Sequence, residues 1–185
     1  MTILSEFLNN KSKEIYEQNK SVGWWDDPNR CIWTTIQLIS TEVAEATEGE
    51  RKDLMDDHLP YRKMGEVELA DALIRALDLG GRMELQVYKD DLQPLKWHDN
   101  PGSIHLSLNK LIVQFADNVS EDLPYKSFRN YYCHIAYSRL IRGLLEAADL
   151  LNYDIIPAMQ EKLEYNKNRA DHKRENRNKE GGKKF

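Results

Sequence analysis

The chain has few cysteines and glycines among its 185 residues, and it has no long apolar run. Its two cysteines, Cys31 and Cys133, are far apart and form no CxxC pair, which excludes a disulfide framework and a cysteine zinc site. No stretch reaches the roughly 18 apolar residues of a membrane-spanning helix, so we expect no membrane partner. The first twenty residues carry acidic side chains and lack a basic start followed by an apolar block. We therefore expect no targeting segment and infer a cytoplasmic protein.

The net charge of −5 is unevenly distributed along the chain. Nine Lys or Arg and five Asp or Glu give residues 161–185 a charge of +4, which leaves −9 on residues 1–160. Because phosphate neutralisation by Lys and Arg supplies most of the affinity for nucleic acid, an acidic body argues against a nucleic-acid partner. The basic end is typical of a solvated terminus.

The spacing of apolar residues is helical, and it predicts an all-α bundle of five to six helices. We expect helices over about 2–20, from a cap at Asp27 or Asn29 to about 49, and over about 61–84, 103–119, 126–151 and from 154 onward. Ser103 and Asp154 are the expected caps of the fourth and sixth helices. These form a single domain over residues 1–170. Residues 171–185 offer no apolar side chain before the final Phe185, so we expect a disordered basic tail.

Two glutamates of the second helix, Glu42 and Glu45, lie close to its apolar face. On a helical wheel Glu42 falls about 60° from Ile39 and Glu45 about 120° from it. Both therefore lie among or beside residues that must be buried. The alternative is an outward-facing pair of charges.

The third helix is apolar over most of its circumference, and its narrow polar arc holds Glu68, Asp71, Arg75 and Asp78. If this arc faces Glu42 and Glu45, four carboxylates converge inside the bundle. The negative charges of such a cluster repel one another unless a cation neutralises them. Oxygen ligands without Cys or His select Mg²⁺, or Mn²⁺, over zinc.

A basic face on the last helix is formed by Lys162, Asn166 and Arg169, which fall within about 60° of one another on the wheel. Two cations and an amide so arranged suit phosphate oxygens. A solvated basic helix end explains them equally well.

The spacing of these motifs resembles a known family. Glu42-Val-Ala-Glu45, followed after 22 residues by Glu68-Leu-Ala-Asp71, is similar to the ExxE and ExxD motifs of the MazG-like all-α nucleoside triphosphate pyrophosphohydrolases. Lys162, Asn166 and Arg169 resemble the downstream basic element of that family. The chain differs in carrying an inserted segment of about 45 residues, 86–130, before the last helices.

The resemblance implies a Mg²⁺-dependent hydrolase that converts a nucleoside triphosphate into the monophosphate and pyrophosphate, as a homodimer or homotetramer. It assigns Glu42, Glu45, Glu68 and Asp71 to the metal, with Glu45 also positioning or deprotonating water as the catalytic residue. It assigns Lys162, Asn166 and Arg169 to the phosphates.

Several alternatives stay open on the sequence. Trp24 and Trp25 are candidates for stacking on the base, or they anchor their loop in the core. A pyrophosphatase restricted to dUTP or dCTP and a noncatalytic helical bundle that binds a partner are rival functions. A second ExxD, Glu146 and Asp149, is explained more simply by an ion pair between Arg142 and Glu146.

Overall fold

The computed structural model describes residues 3–88, 94–119 and 126–169, and of residues 126–130 only the backbone. The described residues form six α-helices and no β-strand, which confirms the all-α prediction. The helices are α1 (Ile3–Ser21), α2 (Ile32–Lys52), α3 (Met64–Arg82), α4 (Pro101–Asn118), α5 (Lys126–Leu150) and α6 (Ile155–Asn168). The tail at 171–185 lies outside the described residues, so its expected disorder stays a prediction. No helix in the described ranges has both the length and the apolar character needed to cross a membrane.

The α3 helix lies at the centre of the bundle. It packs against α1, α2, α5 and α6, and α4 packs between α2 and α5. Thirteen of the nineteen residues of α3 are buried, as its broad apolar surface predicts. Burial of its Leu, Val and Ala side chains against four neighbours holds α3 in place, so the polar side chains on its narrow arc are fixed in direction.

The predicted capping role of Ser103 was wrong, whereas Asp154 is the N-cap residue of α6 as predicted but makes no side-chain capping bond. The side chain of Asn100 caps α4 by accepting a hydrogen bond from the Ser103 N–H at 2.9 Å, and Pro101 begins the helix. Asp154 precedes α6, but its side chain makes no capping hydrogen bond. Instead its backbone N–H donates to Glu66 Oε1 at 2.9 Å, because α6 docks against the start of α3.

The loop at residues 54–63, between α2 and α3, has internal order. Its ends pair through an isolated antiparallel bridge between Met55 and Lys63. Asp56, only 4% exposed, accepts hydrogen bonds on Oδ1 from the backbone N–H groups of His58 and Leu59. These bonds fix the loop conformation next to the carboxylate motifs.

The same loop is tied to the rest of the bundle by Arg62. Its guanidinium donates to Glu161 of α6 through Nε at 2.7 Å and Nη2 at 2.8 Å, and to Glu66 of α3 through Nη1 at 2.7 Å. A bidentate arginine pair restricts both distance and orientation. Arg62 therefore sets the position of α6 relative to α3.

Candidate metal centre

A cavity of about 600 Å³ lies between the end of α1, the loop that follows it, α2, α3 and α6. The side chains named by the sequence motifs that line it are Glu42, Glu45, Glu68, Asp71, Lys162, Asn166 and Arg169, and Trp24 lines it as well. All four polar side chains of the α3 arc also face it. The arc thus points into a cavity between helices.

Three of the predicted metal ligands meet at one point of the cavity. Glu42, Glu68 and Asp71 each place a carboxylate oxygen within 4.8 Å of the others. Glu42 and Glu68 are 5% and 8% exposed, and Asp71 is partly buried. These three groups therefore meet inside the bundle, as the positions of Glu42, Glu68 and Asp71 on their helices indicated.

The convergence follows from the antiparallel packing of α2 on α3. The ion pair between Glu42 and Arg75 lies farther from the connecting loop than the contact of Gly49 with Gly65. Glu42 and Glu45 lie three residues apart on α2, and Glu68 and Asp71 lie three residues apart on α3. Each pair is therefore on one face of its helix, and both faces turn toward the shared cavity.

Two cations contact the carboxylate cluster. Arg75 Nε forms an ion pair with Glu42 Oε1, and Lys162 Nζ lies 3.1 Å from Asp71 Oδ2. Lys162 is 2% exposed, so its ammonium group relies on protein partners for solvation. Three acidic groups and two basic groups thus share the same region.

Burial and crowding raise the pKa values of two carboxyl groups of the cluster. Burial, followed by the charge of Asp71, raises the pKa of Glu68 to about 9, although Lys162 opposes the rise. Burial also raises the pKa of Asp71, where Lys162 again opposes the effect and Glu42 adds to it. For Lys162, burial lowers the pKa, but Asp71 and Asp56 outweigh it and the net pKa is raised.

The donor set of the cluster fits a hard divalent cation. All three groups offer carboxylate oxygens, which Mg²⁺ and Mn²⁺ prefer, and no His or Cys belongs to the cluster among the described residues. A divalent cation would favour the ionised form of groups whose pKa values burial has raised. Glu42, Glu68 and Asp71 are therefore the residues that would hold it.

Glu45 differs from the other predicted ligands. It lines the cavity, yet its side chain is exposed and it does not belong to the three-carboxylate cluster. The expectation that four carboxylates converge is thus met by three. The reason lies in the helical wheel, because Glu45 is about twice as far from the buried Ile39 direction as Glu42.

The predicted basic face of α6 borders the same cavity. Lys162, Asn166 and Arg169 all line it. Asn166 Oδ1 is buried without a hydrogen-bond partner, and the Arg169 guanidinium lies 5.9 Å from the centre of the Tyr165 ring. These side chains bring positive charge and an amide to the cavity beside the carboxylates.

The two tryptophans have different surroundings. Trp24 lines the cavity, with the Arg30 guanidinium 5.9 Å from the centre of its ring. Trp25 packs against the core, and its indole N–H donates to Asp78 Oδ1 at 3.0 Å. The structure thus places Trp24, but not Trp25, among the lining residues, and base binding by either ring stays a prediction.

Arg75, Asp78 and His58 line the cavity without a role assigned from the sequence. Burial raises the pKa of Asp78 to about 6, although hydrogen bonds from Trp25 and Asn19 oppose the rise. For Arg75 and Asp78, the sequence feature that indicates a place in the cavity is the polar arc of α3 that begins at Glu68. His58 lies in a loop, where no periodicity indicates direction.

The second ExxD motif lies outside this cavity. Arg142 Nε forms the expected ion pair with Glu146, and Trp97 Nε1 donates to the same carboxylate at 2.8 Å. Asp149 is exposed. The interpretation of this motif as a surface pair is confirmed.

Comparison of the chain with protein-family models, curated proteins and solved structures found no match.

Proposed function

We propose that the chain is a Mg²⁺-dependent nucleoside triphosphate pyrophosphohydrolase, which converts an NTP or dNTP and water into the monophosphate and pyrophosphate. The observation that carries the proposal is the meeting of Glu42, Glu68 and Asp71 beside the buried Lys162 in one cavity. Carboxylates that can hold a metal, next to a cation that can hold phosphate, are the combination that phosphoryl transfer needs.

The dimensions of the cavity support a nucleotide ligand. Its volume of about 600 Å³ is in the usual range for small-molecule sites. Along α3, Asp71 and Asp78 are separated by about 10.5 Å of helix rise. We place the phosphates beside Asp71 and the base beside Asp78, where Trp24 offers an aromatic face.

The proposed role of each residue in the reaction follows from its position in the cavity. Glu42, Glu68 and Asp71 would hold Mg²⁺, which supplies charge neutralisation and lowers the pKa of bound water. Lys162 and Arg169 bind phosphate oxygens, and Asn166 orients one of them. Glu45, on the cavity wall outside the three-carboxylate cluster, positions the attacking water and accepts its proton.

A rival function rests on the two ion pairs. Because Arg75 and Lys162 already contact Glu42 and Asp71, the acidic groups could serve only as internal salt bridges of a noncatalytic bundle that binds a partner. A pyrophosphatase restricted to dUTP or dCTP is a narrower version of the enzyme. Oligomerisation as a homodimer or homotetramer belongs to the proposal as well.

One assay separates these functions. Pyrophosphate release is measured from each common ribo- and deoxyribonucleoside triphosphate, with Mg²⁺ and then with a chelator. We expect that pyrophosphate release requires Mg²⁺. Asp71→Asn should lower the rate of release by more than roughly 10- to 100-fold, which is the cost of losing an outer-shell partner of a metal. Asp117→Asn, an exposed position on α4, is the matched control and retains the wild-type rate.

The substrate panel gives three distinguishable results. Turnover of many triphosphates supports the broad enzyme, and turnover of dUTP or dCTP alone supports the restricted one. Absence of release from every triphosphate contradicts the proposed enzyme and favours the noncatalytic bundle. A wild-type rate of release in Asp71→Asn contradicts the assignment of the metal site to Glu42, Glu68 and Asp71.

A further inference from the structure

His58 is held in a defined position at the wall of the cavity. Its backbone N–H donates to Asp56 Oδ1 at 2.9 Å, within the ordered loop at residues 54–63. Its ring lies against Tyr165 of α6, with 4.8 Å between the ring centres and 34° between the planes. The ion pair between Arg62 and Glu161 joins the loop to α6, so the two supports of the imidazole are connected to each other.

The contact with Lys162 determines the tautomer of this imidazole. Lys162 Nζ lies 3.3 Å from His58 Nδ1 and 3.1 Å from Asp71 Oδ2. An ammonium group can only donate, so Nδ1 accepts. A neutral imidazole that accepts on Nδ1 carries its proton on Nε2, and we assign that tautomer here.

The Nε2–H group of His58 has no hydrogen-bond acceptor among the residues that the structure describes. Within the described residues, the contacts of His58 are made by its backbone N–H, by Nδ1 and by the ring face. His58 lines the cavity, and the ammonium group of Lys162, which is also a hydrogen-bond donor, lies beside it at the same wall. A neutral donor next to a buried cation is suited to an anionic oxygen.

The place of His58 along the cavity indicates which part of a nucleotide it meets. His58 lies before the beginning of α3, near Asp71 through Lys162. Asp78 lies toward the other end of α3, where Trp25 donates to it, and the Arg30 guanidinium lies over the rings of both Trp25 and its neighbour Trp24. A nucleotide with its base beside Trp24 therefore extends its terminal phosphates toward His58.

We propose that His58 binds, through Nε2–H and together with Lys162, the two terminal phosphates of the substrate, which are the part released as pyrophosphate. The identity of the substrate rests on the proposed function, whereas the binding of a pyrophosphate group rests on the local geometry. His58 adds to the basic face of α6 a ligand from a different element, so the loop at residues 54–63 takes part in the site.

Two matched substitutions separate phosphate binding from a merely structural role. His58→Asn keeps an acceptor close to the position of Nδ1, and thus the contact with Lys162, but removes the distal donor. His58→Gln places an amide donor close to the position of Nε2. His98→Asn, at an exposed histidine in the described part of the chain, is the control. The probe is inorganic pyrophosphate with Mg²⁺, titrated calorimetrically against the full chain.

We expect His58→Asn to weaken pyrophosphate binding roughly tenfold or more, the cost of losing a hydrogen bond to a charged group. His58→Gln should recover part of that loss, and His98→Asn should bind as wild type does. Thermal unfolding of each variant verifies that it is folded. Wild-type binding by His58→Asn, no advantage of Gln over Asn, or no pyrophosphate binding by the wild-type protein would each overturn the inference.

The failure of this inference is distinguishable from that of the proposed function. If the wild-type protein binds pyrophosphate in a His58-dependent way but hydrolyses no triphosphate, the inference holds and the enzyme is wrong. If it hydrolyses triphosphates while His58→Asn binds pyrophosphate normally, the enzyme holds and the inference is wrong.

Discussion

Glu68 is 8% exposed and lies beside the carboxyl groups of Asp71 and Glu42. Burial, followed by the charge of Asp71, raises its pKa from an ordinary 4.5 to about 9. Because the folded protein binds this proton more tightly than the unfolded chain does, the resulting stability is fully present below pH 4.5 and is lost as pH rises through 9.

A Glu68→Gln variant tests this residue in chelator. It removes the titrating group while keeping its volume, so its free energy of unfolding should fall less than that of wild type between pH 5 and pH 9. At pH 9 we expect the variant to be the more stable by at least about 1 kcal/mol. Denaturant unfolding at both pH values measures the difference.

Glu17→Gln, at an exposed glutamate of α1, is the control for this measurement and should follow the wild-type pH dependence. If Glu68→Gln also follows the wild-type curve, Glu68 does not titrate in this range and its crowding with Asp71 and Glu42 has no energetic consequence.

For single residues, the sequence could predict toward which side of its helix a side chain points. Periodicity placed Glu42 nearer the buried face than Glu45, and the structure has Glu42 buried and Glu45 exposed. It could not predict that Arg75 pairs with Glu42 or that Lys162 pairs with Asp71. Those pairs depend on how helices are placed against each other, which periodicity within one helix does not encode.

The α2 and α3 helices approach each other closely near the loop that joins them. A Cβ atom at Gly49 would lie 2.9 Å from both the Gly65 N atom and the Met64 Cβ atom. Since both contacts involve backbone or the root of a side chain, the helices would have to separate to accept it. This close packing sets the distance between the carboxylates that α2 and α3 contribute.

We therefore expect Gly49→Ala to destabilise the protein by about 1 to 3 kcal/mol, although alanine is the better helix former. It should also weaken Mg²⁺ binding, because the two carboxylate helices spread apart. Gly102→Ala in α4 is the control, since the nearest neighbour of its Cβ would be Asn100 Oδ1 at 3.6 Å. Denaturant unfolding and Mg²⁺ titration of both variants provide the comparison, and equal stability of the two would show that the helices have room at Gly49.

Helix number and approximate extent followed from apolar spacing, but the first residues of several helices did not. The second helix was expected to start from a cap at Asp27 or Asn29, and it begins at Ile32, after Cys31. Its start carries no side-chain cap, and a cap was the signal used to place it. At α4, Asn100 and Ser103 are both good capping residues, and only the backbone geometry decides that Asn100 accepts the bond.

At the scale of the whole molecule, one cavity gathers side chains from distant parts of the chain. Trp24 follows α1, Glu42 lies on α2, Asp71 on α3 and Lys162 on α6. The helical wheels left open whether the acidic faces of α2 and α3 meet, and the resemblance carried by their two motifs implied a shared site. The docking of α6 through Arg62, Glu66 and Glu161 was not visible in the sequence, because its partners lie about a hundred positions apart.

Binding of Mg²⁺ at this junction should stabilise the whole bundle, because the ligands come from α2 and α3 and adjoin α6. An ion that binds only the folded state adds about 2.7 kcal/mol at a hundred times its Kd. For a domain of this size that corresponds to a Tm increase of roughly 5 to 10 °C. Thermal unfolding with Mg²⁺, against NaCl of equal ionic strength, measures the increase.

Asp71→Asn should lose most of that increase, because it removes a charged ligand at nearly constant volume, whereas Asp117→Asn on α4 should keep it. A nonspecific effect of ionic strength would shift both variants equally, and NaCl would reproduce it. If Mg²⁺ leaves the wild-type Tm unchanged, the three carboxylates are balanced by Arg75 and Lys162 alone, and the cluster is an internal salt-bridge network.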